Sequence, residues 1–317
     1  MDYKKDSKNI LSFFKKLLLI IFIIFVLDFA LGWLIRQLYY KQQSGLLYRT
    51  TYSLEKSNED IIILGPSTAN HHYIPSIFED SLNLTCYNTG KDGQGLFYCL
   101  AIQRAILQRY TPKIFLLDIR PSMLSHDFND IARLSGLLPY YRNHKEIRSI
   151  IERKSFFEKF KLISNTYPFN SSLLTMLGGY FQYNKEIKKD FNGFIPLYGT
   201  DSNIILLDTV RLNYKFSEEK INCLKEMIKN AEVFGSKFII IDSPSYKFYQ
   251  DEEYYAIIDN LKNSTNILYW NYLNDSLFYS KPNLFKDRGH LNNNGASLFT
   301  KEIVSRLKEA LFKNYKK

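Results

Sequence analysis

The hydrophobic positions of this chain form one long block near the N-terminus and several short blocks further on. The long block covers residues 17–35, with Asp28 as its one charged residue. At about 1.5 Å of rise per residue, a helix of this length comes close to crossing a hydrocarbon core of roughly 30 Å. An Asp near the middle costs about 3 kcal/mol, which the many Leu, Ile and Phe residues can offset. The block therefore predicts a membrane-spanning helix.

The charges around this block predict its orientation. Five lysines precede it within the first 16 residues, whereas three cations follow it before residue 50. This bias favours a cytoplasmic N-terminus and a body outside the membrane. A cleaved signal peptide is the alternative, with Ala30-Leu31-Gly32 as its candidate cleavage site. Asp28 and the length of the apolar run favour a retained single-pass anchor. We therefore expect a tail and anchor over residues 1–45 and a folded body over residues 46–317.

The short apolar blocks of the body predict strands. They lie at residues 61–64, 85–88, 113–119, 237–242 and 266–270. Helical periodicity marks residues 95–110, 217–235 and about 294–314. This alternation predicts an α/β fold with a mostly parallel sheet of about five strands and helices on both faces. A Tyr- and Phe-rich stretch at about 122–216 interrupts the alternation and predicts a helical insertion, with helical pieces near 143–163 and 171–190.

Composition narrows the classes of function. The net charge is +10, with lysines concentrated at both ends. No basic stripe accompanies a nucleic-acid-binding motif, so we expect no nucleic acid partner. Solvated termini account for the lysines, and attraction to anionic lipid or envelope polymer is the alternative. The three cysteines lack metal-ligand spacing, and their odd number indicates no disulfide framework. We expect no metal and no cofactor.

Three polar motifs follow the predicted strands. Ser67 comes after a buried strand and a Gly-Pro turn, where a nucleophile would lie among backbone N–H groups, although a serine there is more often a helix N-cap. The segment from Asn88 to Gly93 follows the second strand, and its glycines allow close approach of a ligand, although a simple turn explains them equally. Asp287 precedes His290 by three residues, so the pair can supply an oriented base or be structural.

Together these motifs resemble the SGNH/GDSL hydrolase superfamily, over about residues 60–125 and 217–312. Gly65-Pro66-Ser67, Asn88 through Gly93, and Asp287 through His290 resemble three of its sequence blocks, in the same order. The resemblance implies a flavodoxin-like parallel sheet. It also implies Ser67 as nucleophile, His290 as base and Asp287 as the acid that orients His290. The backbone N–H groups of Ser67 and Gly90, in the block that begins at Asn88, would form part of the oxyanion hole.

The resemblance fails at one block. The family carries Gly-x-Asn-Asp after the third strand, and its Asn donates to the oxyanion hole. Here the sequence reads Asp118-Ile119-Arg120-Pro121-Ser122. Loss of one such donor typically costs about a hundredfold or more in rate. Arg120 is the candidate replacement. The departure is compatible with weakened esterase activity, with an altered substrate or with a pseudoenzyme.

The combined prediction is an enzyme of the bacterial cell membrane whose body lies outside the cytoplasm. We expect a serine-dependent O-acyl, most simply acetyl, ester hydrolase or transferase that acts on an envelope polysaccharide. Its partners would be an acylated glycan or acyl donor, the membrane through residues 17–35, and optionally a membrane-bound acyltransferase. The alternative is a non-catalytic SGNH-like glycan-binding or assembly protein. Water and a sugar hydroxyl would attack the same acyl-enzyme, so the sequence leaves hydrolysis and transfer equally open.

Overall fold

A five-stranded parallel sheet forms the centre of the body. The computed structural model describes residues 3–180, 191–201, 210–211, 214–246, 249–265, 267–279 and 281–312. The strands are β1 (Ile61–Leu64), β2 (Cys86–Asn88), β3 (Ile114–Ile119), β4 (Lys237–Asp242) and β5 (Leu268–Asn271). Their order is β2-β1-β3-β4-β5, and every neighbouring pair is parallel. This order is that of flavodoxin-like sheets, so the predicted fold class is confirmed.

The described residues form twelve α-helices, some of which pack on the two faces of the sheet. In chain order they are α1 (Tyr3–Tyr40), α2 (Gly45–Thr51), α3 (Ser67–His72), α4 (Pro75–Leu82), α5 (Leu96–Leu107), α6 (Pro121–Leu124), α7 (Arg148–Ile151), α8 (Glu158–Lys161), α9 (Leu173–Tyr180), α10 (Glu218–Phe234), α11 (Glu252–Ser264) and α12 (Asn293–Phe312). Short 3-10 helices cover Ala132–Tyr140, Lys145–Ile147, Glu152–Lys154, Tyr167–Ser172 and Pro282–Leu284, and a π-helix covers Tyr52–Lys56. Residues Val210–Arg211 pair with Tyr249–Gln250 as a separate short parallel ladder.

The strands are apolar at consecutive positions because each face of the sheet has its own core. Ile61 and Ile63 point into one core with α4 and α12, while Ile62 and Leu64 point into the other with α5 and α10. A parallel sheet covered on both sides needs this continuous pattern rather than alternation. The same pattern made the strands visible in the sequence.

The helices predicted at 95–110, 217–235 and about 294–314 match observed helices within a few residues, but α2, α4 and α11 were not predicted. The predicted helices at 95–110 and 217–235 are α5 and α10, and the last predicted helix is α12 as far as Phe312. For α11 a signal existed, because the Asp251 side chain accepts the backbone N–H of Tyr254 as an N-cap, and two glutamates follow it.

The Tyr- and Phe-rich stretch at about 122–216 consists, where it is described, mainly of short helices. Leu134, Leu137 and Tyr140 are buried in the same core as α5. The predicted helical piece at 171–190 corresponds to α9 as far as Tyr180, and residues 181–190 lie outside the described part of the chain.

Helix α1 is long and apolar enough to cross a membrane, over Asn9–Tyr40 by length and composition. Asp28, the one acidic residue in the apolar block, has hydrogen-bond partners in the body. The carboxylate accepts hydrogen bonds from the Ser164 hydroxyl (2.7 Å), from the backbone N–H groups of Asn165 (2.6 Å) and Thr166 (3.2 Å), and from their side chains. Asp28 therefore attaches α1 to the body.

We predict that Asp28→Asn destabilises the full chain as much as Asp28→Ala. The amide of Asn is uncharged and would turn donor hydrogens toward the backbone N–H groups of Asn165 and Thr166, so hydrogen bonds to a charged acceptor are lost either way. Such bonds contribute about 1.5–3 kcal/mol each when well formed. The measurement is the thermal unfolding midpoint in detergent. Leu18→Ala on the exposed face of α1 is the matched control and should leave the midpoint unchanged. An unchanged midpoint in both Asp28 variants would contradict the assignment.

Candidate active site

Ser67 lies at the carboxyl end of β1, at the start of α3. The turn requires a glycine before it, because Gly65 has φ of +149° and a Cβ there would approach the Asp118 carbonyl oxygen to 2.8 Å. Pro66, not Ser67, occupies the N-cap position of α3. Ser67 is thus the first helical residue, and the capping interpretation of this serine is wrong. Backbone N–H groups in the first helical turn have no partner within the helix, so the N–H of Ser67 can face a ligand.

His290 lies between Ser67 and Asp287. Its Nε2 is 2.7 Å from the Ser67 Oγ, and its Nδ1 is 3.0 Å from both carboxylate oxygens of Asp287. Because an ionised carboxylate can only accept, Nδ1 carries the proton and Nε2 is free to accept the Ser67 hydroxyl proton. The structure thus brings Ser67, His290 and Asp287 into one hydrogen-bonded line. Neither Asp118 nor Asp242 binds His290: Asp118 accepts from Ser243 and Asp242 from Tyr254.

Asp287 is held ionised by its hydrogen bonds. Partial burial raises the pKa of its carboxyl, but the His290 side chain and the backbone N–H groups of Gly289 and His290 outweigh this and lower the pKa to about 2. Asp287 therefore remains a carboxylate at any pH near neutrality. It fixes both the tautomer and the orientation of the imidazole.

His72 and Arg120 fix the loop that carries His290. The Nε2 of His72 accepts the backbone N–H of Leu291 at 2.9 Å. The Nη2 of Arg120 donates to the carbonyl oxygen of Gly289 at 2.7 Å and to that of Pro244 at 3.3 Å. Complete burial and the nearby charge of Arg120 hold the pKa of His72 well below its usual range, so its imidazole is neutral.

Arg120 contacts the backbone of the His290 loop and has no hydrogen bond to Ser67 in the described part of the chain. Its expected role at the oxyanion remains a prediction. The position of Arg120 at the end of β3 nevertheless places it at the same sheet edge as the other site residues.

Asn88 and Gly90 hold the second loop of the site against α3. Asn88 is fully buried; its Nδ2 donates to the carbonyl oxygens of Ala69 (2.6 Å) and Tyr73 (3.0 Å), and its Oδ1 accepts the N–H of Gly90 at 2.9 Å. A Cβ on Gly90 would approach the Asn70 nitrogen to 2.5 Å, so only glycine fits. The Gly90 N–H is engaged by Asn88 in this geometry, and its expected part in the oxyanion hole remains a prediction.

A second polar network lies beside Ser67, His290 and Asp287. The sequence places His71 and His72 close to Ser67 as residues that line the site, but it does not reveal their partners. The Nδ1 of His71 donates to the carbonyl oxygen of Ile195 at 2.8 Å, and its Nε2 lies 3.2 Å from Asp92. Burial raises the pKa of Asp92, but hydrogen bonds from His71 and Asn70 lower it to about 2. The His71 ring lies edge-on to that of His290, with centroids 5.6 Å apart.

Arg49 extends this network to the segment that follows α1. Its Nη2 donates to the Asn70 Oδ1 at 2.7 Å, to the Gly90 carbonyl oxygen at 3.4 Å and to Gly193. The adjacent histidines and the acid inside the Asn88–Gly93 block were the available signals in the sequence. Arg49 had none, because nothing in its local pattern points to α3.

Among the residues that the structure describes, no group of three or more His, Cys, Asp or Glu side chains is arranged to hold a metal ion. The three cysteines are all buried and unpaired. The chemistry available here is that of a hydroxyl, an imidazole and a carboxylate.

Comparison with known proteins gives distant structural likenesses. The sequence matches no family model, and no curated protein matches it. The structure is similar to a Bacteroides fragilis protein described as an acylhydrolase, with 14% identity, a TM-score of 0.42 and coverage of 86% of this chain and 99% of that one. It is also similar to a GDSL-like lipase of Bacteroides thetaiotaomicron, with 12% identity, a TM-score of 0.41 and coverage of 79% and 88%. Likenesses at this level assign no activity.

We predict that His72 makes the protein less stable in acid. A buried histidine that stays neutral in the folded state binds fewer protons than in the unfolded state, where its pKa is about 6.5. The contribution of His72 to the free energy of unfolding is therefore complete above that pH. It decreases as the pH falls below it, by up to about 1.4 kcal/mol per pH unit.

The measurement is the difference between unfolding midpoints at pH 7.5 and pH 5.5. His72→Gln keeps an acceptor for the Leu291 N–H but cannot ionise, so its difference should be smaller than that of the wild type. His126→Gln replaces an exposed histidine and should behave like the wild type. Equal pH differences in all three proteins would contradict the neutral, buried assignment.

Proposed function

We propose that this protein is a serine-dependent O-acyl ester hydrolase or transferase of the SGNH/GDSL type. The observation that carries the proposal is the hydrogen-bonded line from Ser67 Oγ through His290 to Asp287. A serine hydroxyl is a weak nucleophile near pH 7 unless a base takes its proton, and this geometry supplies the base and its orienting acid. The flavodoxin-like sheet and the three sequence blocks support the family assignment.

The proposed reaction begins when His290 Nε2 takes the hydroxyl proton of Ser67. The Ser67 Oγ then bonds to the acyl carbon, and the carbonyl oxygen becomes an oxyanion. The first-turn N–H of Ser67 is the donor best placed to receive it. When the intermediate collapses, the ester C–O bond breaks and His290 gives its proton to the departing alcohol. Ser67 is left as an acyl ester.

The second half of the reaction sets hydrolysis apart from transfer. His290 is now neutral and can take a proton from water or from a sugar hydroxyl. The activated oxygen attacks the acyl carbon, the bond to Ser67 Oγ breaks, and the proton returns to Ser67 through His290. Water gives a carboxylic acid, and a sugar hydroxyl gives a new ester. Asp287 stays ionised throughout and stabilises the imidazolium formed in each half.

For the substrate we propose acyl, most simply acetyl, esters of an envelope polysaccharide outside the bacterial cell membrane. The support is the apolar α1, with lysines before it, followed by the whole body. A membrane-bound acyltransferase would be a natural source of acyl groups for a transferase at this location. No nucleic acid, metal or cofactor enters the proposal.

A non-catalytic glycan-binding or assembly protein is the second candidate. The shortage of free hydrogen-bond donors where an oxyanion would form favours this candidate. The family's block-three Asn is replaced by Arg120, which binds backbone carbonyls, and the Gly90 N–H is engaged by Asn88. A site with few free donors would stabilise an oxyanion poorly. Activity decides between the two candidates.

We predict that the detergent-solubilised full chain releases acetate from an activated acetyl ester. Ser67→Ala should reduce this by about a thousandfold or more, and His290→Ala by nearly as much, because nucleophile and base act as a unit. Asp287→Asn should cost less, since orienting the imidazole is one part of its work.

The matched control is Ser76→Ala, which removes an exposed serine hydroxyl in α4 and should leave turnover unchanged. Acetylated glycan should be tested beside the activated ester, since a specific enzyme can discriminate against small substrates. Folded wild-type protein that releases no acetate from either substrate in a Ser67-dependent manner would favour the glycan-binding alternative.

A further inference from the structure

Large apolar side chains that face solvent flank the loop that binds Asp28. They are 49% to 84% exposed and are called here the apolar patch: Phe156, Phe157, Phe160, Ile163, Leu174 and Leu177. Large apolar side chains exposed on both sides of one loop are candidates for a site of interaction, because soluble monomers rarely expose large apolar patches. Three of the six side chains are Phe, a residue type found with Leu on the lipid-facing side of helices that lie in membrane interfaces.

The patch has two halves, residues 156–163 before the loop that binds Asp28 and Leu174 with Leu177 after it, and each half begins beside α1. Ile163 directly precedes Ser164, which donates to Asp28. The 3-10 helix Tyr167–Ser172 packs against α1 and continues into α9, which carries Leu174 and Leu177. The loop also approaches α1 closely, because a Cβ on Gly32 would lie 2.3 Å from the Cβ of Asn165. The patch is therefore continuous with the apolar surface of the helix.

The position of Asp28 along α1 sets the depth of this contact. If residues 17–35 cross the bilayer, Asp28 lies seven residues, or about 10 Å along the axis, inside the outer end at Ile35. Trp33, exposed near that end, suits the interfacial belt. A carboxylate at such depth needs partners, and loop 164–166 supplies them. The loop must then enter the outer leaflet with Asp28.

We propose that the apolar patch is embedded in the outer leaflet of the bilayer that α1 crosses. The occupant of this surface is lipid, and the inference rests on the proposed membrane anchor. Lys159 is exposed beside the patch and can extend its ammonium group to an anionic headgroup while its aliphatic stem remains in the apolar layer. Burial of the patch fixes the orientation of the body. Arg49, which follows the anchor, binds Asn70 in the helix that begins with Ser67.

The test uses the full chain in vesicles of phosphatidylcholine and phosphatidylglycerol. The three native cysteines are buried, so a single introduced cysteine can carry a nitroxide spin label. Labels at Leu174→Cys and Phe160→Cys report on the two halves of the patch. Leu18→Cys reports on the anchor, and Val233→Cys on α10 is a matched exposed apolar position away from α1. The readout is the ratio of collisions with oxygen, which enters lipid, to collisions with a water-soluble nickel chelate.

If the patch lies in lipid, the collision ratio at positions 160 and 174 exceeds the ratio at position 233 severalfold and approaches the ratio at position 18. A high ratio at 18 with water-like values at 160 and 174 would overturn the patch while leaving the anchor in place. Water-like values at all four positions would overturn the anchor and the patch together. Protection of 160 and 174 from both reagents would show that protein covers the surface, which also overturns the assignment to lipid.

Discussion

The buried hydrogen bond from the Leu291 N–H to His72 holds together two segments that are 219 residues apart in the chain. His72 is the last residue of the helix that starts with Ser67, and Leu291 directly follows His290. The distance between the serine hydroxyl and the imidazole therefore depends on this contact and on Arg120, which binds the carbonyl oxygen of Gly289. Parallel strands bring both loops to one edge of the sheet, but strand topology alone does not set a separation of 2.7 Å.

This arrangement requires one neutral and one ionised side chain close together. The same region contains an imidazole that must stay neutral to accept a backbone N–H, His72, and a carboxylate that must stay ionised to orient His290, Asp287. Full burial keeps the first uncharged, and converging N–H groups keep the second charged. The two groups lie in different surroundings although they serve one loop.

The sheet and the proximity of Ser67, His290 and Asp287 could be predicted from the sequence for physical reasons. Buried parallel strands are continuous apolar runs, and polar residues that follow such runs meet at one edge, so the neighbourhood of Ser67 and His290 followed from topology. Other contacts could not be predicted from local sequence patterns. The partners of Asp28 lie more than 130 residues away, in a loop of ordinary polar composition. Arg49 and His72 act through single side chains whose targets no periodicity reveals. Short helices of the aromatic-rich stretch likewise depend on tertiary packing more than on pattern.

The most direct measurement of the central claim is covalent trapping of the nucleophile with a fluorophosphonate. If His290 activates Ser67, the Ser67 Oγ displaces fluoride from phosphorus, and peptide mass spectrometry of the full chain finds the phosphonyl group on Ser67. The same reagent should leave the His290→Ala protein essentially unlabelled at that peptide. Labelling of wild type and His290→Ala at equal rates, or labelling of the folded wild type at a residue other than Ser67, would contradict the account.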